Sequence, residues 1–189
     1  MKTFKHTIVL AIAIATLIAC GGNSGQQPAT ADGFSGIESD IKSEFGNDAY
    51  YTDLTITHNK SIGNIIGVTV TEDPSSLKME QWNQTQSVWS QNQQISLEVP
   101  QGTKAEDYMF QLDDNINLKT LGELAEKASN QLTADKKLEN PTLSMAFVKF
   151  PKNGDVSKTE YTIMLKPEHG GTTFTFSYDL SGNLIKMDY

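Results

Sequence analysis

Few residues in this chain have chemistry to offer, and they stand far apart. Cys20 is the only thiol in 189 residues. His58 and His169 fall in polar stretches that read as loops, where a single histidine is ordinarily a solvated side chain. Asp113, Asn115 and Asn117 imitate the start of a calcium loop. The sixth position of that loop is Leu118 rather than glycine and the twelfth is Leu124 rather than glutamate, so calcium is not expected. Trp82 and Trp89, with Tyr50, Tyr51 and Tyr108, offer aromatic faces beside glutamine and asparagine, which is chemistry suited to sugar rings. The two tryptophans are therefore candidate ligand contacts; the competing expectation is a structural pair that covers the sheet or packs between the halves. There is no G-x-S-x-G elbow, Walker loop or G-x-G-x-x-G run. No acid–base or nucleophile pair can be named, so a non-catalytic protein without metal or cofactor is expected.

Cys20 gains meaning from the residues before it. Lys2 and Lys5 form a small positive start, and Thr7 to Thr16 is an apolar run. The run is about ten residues long, against the roughly 20 that a spanning helix needs. Leu17-Ile18-Ala19-Cys20 closes it. This leader resembles a bacterial lipoprotein signal peptide, with those four residues as the lipobox. The resemblance implies cleavage between Ala19 and Cys20, a diacylglycerol thioether on Cys20 and usually an N-acyl chain. An ordinary secretory signal cut near Ala19, leaving a free thiol, is the alternative. Two or more acyl chains anchor stably where one does not. Gly21 follows Cys20 in place of the aspartate typical of inner-membrane retention in enteric bacteria, which implies the outer membrane, with the periplasmic side favoured over the cell surface.

Composition narrows the partners. Without residues 1–19 the chain loses Lys2 and Lys5, so the net charge moves from −8 to −10. An acidic surface disfavours nucleic acid. All fifteen basic residues are lysine, and arginine, the usual bidentate reader of phosphate and carboxylate, is missing. No second cysteine exists to form a disulfide, so stability has to come from packing.

Elements that could position any site follow in order. Gly21 to Gly33 is small and polar, with no apolar period, and reads as a tether. Its thirteen residues would reach about 20 Å. Phe34 to Phe45 carries Ile37, Ile41 and Phe45 at helical spacing, with Ser35 as the expected N-cap and Gly46-Asn47 as the stop. Strands are expected over 51–58 and 65–71. For 78–99 the expectation is a hairpin turning at Thr85-Gln86, which sets Trp82 opposite Trp89. A helix over 77–89 competes, since seven residues is also two turns. Residues 101–116 read as a connector. Leu118 to Leu132 is the clearest helix, capped by Asn117 or by the Thr120–Glu123 box. Strands follow over 142–150, 158–166, 172–178 and 184–189, with Asp179 to Asn183 as a hairpin turn.

Residues 34–99 and 117–189 thus repeat the order helix, strand, strand, strand, strand. The expected fold is α+β in two tandem units, 34–100 and 117–189, each one helix on an antiparallel sheet of about four strands. This layout looks like that of beta-lactamase inhibitor proteins and of PepSY-like envelope domains, with no motif to carry a target across. The leading expectation is a non-catalytic lipoprotein held at a membrane through Cys20. It would present its sheet faces, and the hairpin ends near Thr85-Gln86 and Leu180-Gly182, to an envelope protein. A glycan- or small-ligand-binding lipoprotein using the tryptophan hairpin is the alternative, and an envelope enzyme the least supported.

Overall fold

A computed structural model describes residues 27–189. The leader and the Ala19–Cys20 position lie outside the described residues. The chain forms α1 (Ala31–Phe45), β1 (Tyr50–Asn59), β2 (Gly63–Thr71), β3 (Lys78–Thr85), β4 (Val88–Ser96), α2 (Leu118–Lys136), β5 (Thr142–Lys149), β6 (Glu160–Lys166), β7 (Phe174–Asp179) and β8 (Leu184–Asp188). No helix among the described residues is long and apolar enough to cross a membrane.

The fold is α+β, with one eight-stranded antiparallel sheet in the order β4-β3-β2-β1-β5-β6-β7-β8. Two tandem units, each with a sheet of about four strands, were the expectation, whether the two sheets joined or packed. They join: β1 pairs with β5 through Thr55–Phe147, Ile56–Ala146 and Thr57–Met145, making one sheet of the two meanders. The helices also interlock. Glu38 of α1 accepts a hydrogen bond from the Leu118 amide at the start of α2 (2.7 Å), and Glu126 of α2 accepts one from the Ala31 amide at the start of α1 (3.1 Å). The helices therefore run antiparallel on one face of the sheet. A single core results, built from Phe34, Ile37 and Ile41, from Leu118, Leu121 and Ala128, and from inward residues of both meanders such as Ile56, Ile66, Ile163 and Phe176. Burying each large side chain contributes about 1.5–3 kcal/mol, so neither half retains its stability without the other's surface.

Local differences from the expected elements have plain causes. Helix α1 starts four residues before Ser35, at Ala31, with Thr30 as its N-cap: Thr30 Oγ1 accepts from the Gly33 amide at 3.2 Å. Ser35 lies inside the helix and donates back to the Ala31 carbonyl. The stretch from Gln27 onward belongs to the body rather than to a tether. An added Cβ on Gly33 would lie 2.1 Å from the Pro28 carbonyl oxygen, and one on Gly122 would lie 2.3 Å from that of Thr30. Only glycine lets the incoming chain cross α2 this closely. The expected cap of α2 is observed, with Asn117 Oδ1 accepting from the Thr120 amide at 2.8 Å. The connector is also part of the body. Phe110 pairs with Tyr51 in an isolated bridge, Leu112 and Ile116 enter the core, and Ala105 and Met109 cover Met79 in a second cluster.

Candidate functional site

Antiparallel strands alternate their side chains, so covering one sheet face with helices leaves the other open, except where Ala105 and Met109 of the connector cover Met79 near its edge. Two cross-strand rows run across the middle of that open face. One is Thr85–Ile65–Thr57–Met145–Met164–Thr175; the other is Asn83–Gly67–Thr55–Phe147–Thr162–Ser177. Six strands at about 4.8 Å spacing make each row roughly 24 Å long. None of these twelve residues is charged, in a chain whose composition is 20% charged. Most are half-buried, and Thr162 is only 4% exposed. Ile65, Met145, Phe147 and Met164 give the patch an apolar centre, set among hydroxyls and one amide. Charge depletion with methionine enrichment is the composition of a protein-contact centre, and methionine adapts its shape to a partner.

The sequence signal for this face is present but easily passed over. Strand β5 reads Met145-Ala146-Phe147-Val148, β6 reads Ile163-Met164-Leu165, and β2 carries Ile65-Ile66. Adjacent apolar residues on a strand put greasy side chains on both faces, where alternation with polar residues marks an ordinary solvated face.

The candidate tryptophans lie on the opposite face, under the helix layer. The β3–β4 turn is formed by Gln86 and Ser87, both with left-handed backbone (φ 51° and 65°), one residue later than expected. Two such residues make the turn whose twist matches a hairpin. The register therefore sets Gln84 opposite Trp89 and Trp82 opposite Gln91, so the expected direct Trp82–Trp89 pair is not formed. The indoles are instead joined through Phe45 at the end of α1, whose ring meets Trp82 edge-on at 5.7 Å and Trp89 at 4.9 Å. Trp82 Nε1 donates to Glu80 at 3.0 Å. Both indoles are half-buried.

The remaining candidate residues are tied into the framework. His58 Nδ1 lies 3.0 Å from Asn64 Oδ1 near the β1–β2 turn, and His169 is exposed in the β6–β7 loop. Asp113 Oδ1 accepts from the Asn115 and Ile116 amides at 2.8 and 2.9 Å, shaping the turn into α2 that Asn117 caps. A polar groove of about 820 Å³ runs beside α1 and the start of α2, lined by Glu38, Lys42, Asp113, Asp114 and Glu123. Within it Glu38 is engaged twice, with Lys42 at 2.6 Å and with the Leu118 amide. Burial holds the Tyr51, Tyr161 and Tyr178 hydroxyls protonated well above the usual range, Tyr161 to about 12. Burial also raises Asp53, while hydrogen bonds from Asn183 lower Asp179. Among the described residues no three histidine, cysteine or acidic side chains converge as metal ligands would. Cys20 lies outside the described residues. No family model, no curated protein and no solved structure matches the chain.

Proposed function

We propose that this chain is a lipid-anchored envelope protein whose open sheet face binds another protein. The observation that carries the binding half is the uncharged double row across six strands, with Met145, Phe147 and Met164 at its centre. The twelve central positions carry no carboxylate or lysine, and charges of the same face, among them Asp53, Lys149, Glu160, Lys186 and Asp188, stand around them as a rim. The lipobox at Leu17–Cys20 supports the anchor, and Gly21 after the cysteine supports the outer membrane with the body on the periplasmic side. In this reading the two helix-plus-four-strand halves are tandem units fused into one sheet. The fusion gives the contact face twice the width that either meander has alone. The protein's role is non-catalytic: it holds a partner close to the bilayer.

Three variants in intact cells test this. Cys20→Ser should move the protein from the membrane to the soluble fraction; continued membrane retention overturns the anchor. A photocrosslinking residue at Phe147 should capture a discrete protein partner, and the same residue at Ser39, on the outer side of α1, should not. Capture from Ser39 alone, or from neither site, overturns the assignment of the open face.

A further inference from the structure

The described chain begins at one end of the sheet, and that fixes which way the body stands on its anchor. The Gln27 carbonyl accepts a hydrogen bond from Asn64 Nδ2 at 2.8 Å, and Asn64 is the second residue of β2. Strand directions put the β1–β2, β3–β4 and β6–β7 turns at this same end. Lys60 of the first turn donates to the Glu168 carbonyl of the third at 2.7 Å. We propose that this end faces the headgroup layer of the phospholipid bilayer and that the opposite end points away from it. The proposal rests on the lipid-anchor reading and deepens it by giving the body an orientation.

Reach decides first. From Cys20 to Gln27 there are seven residues, which extend at most about 25 Å. The central strands β1 and β2 have ten and nine residues, or about 30 Å at strand rise. A body resting on its far end would hold Gln27 beyond the reach of a lipid on Cys20.

Charge points the same way. The far-end turns and connectors (44–50, 71–78, 96–117, 149–160 and 178–184) hold twelve carboxylates against five lysines. The near-end segments (27–32, 58–64, 85–88, 135–143, 166–174 and 188–189) hold five against four. An anionic leaflet repels the first end and is nearly indifferent to the second. The near end also carries the two most exposed large apolar side chains of the described body, Tyr189 at 77% and Val88 at 66%. Lys136 Nζ stands 4.7 Å over the Tyr189 ring. Tyrosine and lysine are the side chains that settle at headgroup level.

The test uses the full chain, expressed with 15N in a bacterium that processes lipoproteins and purified from its membranes. It is placed in nanodiscs of phosphatidylethanolamine and phosphatidylglycerol doped with a gadolinium-chelating lipid. Amides of Lys60, Ser87 and Gly170 should be broadened several-fold more than those of Gly102, Gly154 and Gly182. Equal broadening at the two ends, or the reverse order, in the membrane-held protein overturns the orientation and leaves the anchor standing. If the wild-type chain is soluble, or Cys20→Ser stays on the membrane, the anchor reading fails and the orientation falls with it.

Discussion

Replacing Gly67 with arginine puts a charge in the middle of the open face without entering the core. An added Cβ there meets a single atom within 4 Å, Asn83 Oδ1 at 3.3 Å. Asn83 is exposed, so its amide swings aside by the few tenths of an ångström required. Gly67 sits in a regular ladder between Thr55 and Asn83. Glycine in a strand interior costs about 0.5–1 kcal/mol relative to a residue with a Cβ. The variant should therefore be as stable as the parent, or more stable by up to about 1 kcal/mol. Binding responds differently. The nearest carboxylate on this face is Asp53, which accepts from Thr55, the residue opposite Gly67; in an Asp53→Asn background a docked partner traps the guanidinium with no counter-charge from either row across these six strands. Leaving a buried charge unpaired costs about 2–5 kcal/mol. At 1.4 kcal/mol per decade that weakens binding by roughly thirtyfold to a few thousandfold. Urea unfolding measures the first expectation. Calorimetric titration with the partner captured through Phe147 measures the second, with Ser39→Arg as the variant that keeps its affinity. A folded Gly67→Arg protein in that background with unchanged affinity would refute the assignment of the contact face.

Further expectations concern the framework that holds the face. Phe45→Ala removes the ring between Trp82 and Trp89 and should cost about 3–5 kcal/mol, with red-shifted tryptophan emission and stronger acrylamide quenching. Emission identical to the parent would show that Phe45 does not shield the indoles. Tyr161 keeps its proton up to about 12 in the folded chain, against 10.0 for free tyrosine. Above pH 10 the unfolded chain releases protons that the folded chain retains. The contribution is whole below pH 10 and is lost as pH rises through 12. Tyr51 and Tyr178 shift in the same direction, so Tyr161→Phe should flatten, not abolish, the fall in urea midpoint on the alkaline side. It also leaves the Asn117 amide without its 2.9 Å acceptor. A midpoint that does not move across pH 10 in the parent would refute the linkage.

Some of this protein was written in local pattern. The stripe of Leu118, Leu121, Leu124, Ala125, Ala128 and Leu132 specified α2 with its Asn117 cap, because helix periodicity and capping depend only on neighbours in sequence. The Asp179–Asn183 turn was legible for the same reason, with Gly182 supplying the positive φ of 78°. So were the meanders, since strands separated by short polar turns pair with their sequence neighbours. The start of α1 was not legible. Ala31, Asp32 and Gly33 carry no apolar period; the Thr30 cap, the Glu126 carboxylate on the Ala31 amide and the close crossings at Pro28 and Gly122 hold them in a helix. The β3–β4 register slipped by one residue because Gln86 and Ser87 are not the glycine or asparagine that normally mark such a turn; Phe45, distant in sequence, draws both indoles under the helix layer. The join of β1 to β5 links residues about ninety positions apart, and no neighbouring pattern encodes it. That join makes one sheet of eight strands. It also brings Ile65, Thr57, Met145 and Met164 into a single row, because which face stays open is settled only when both helices choose the same side.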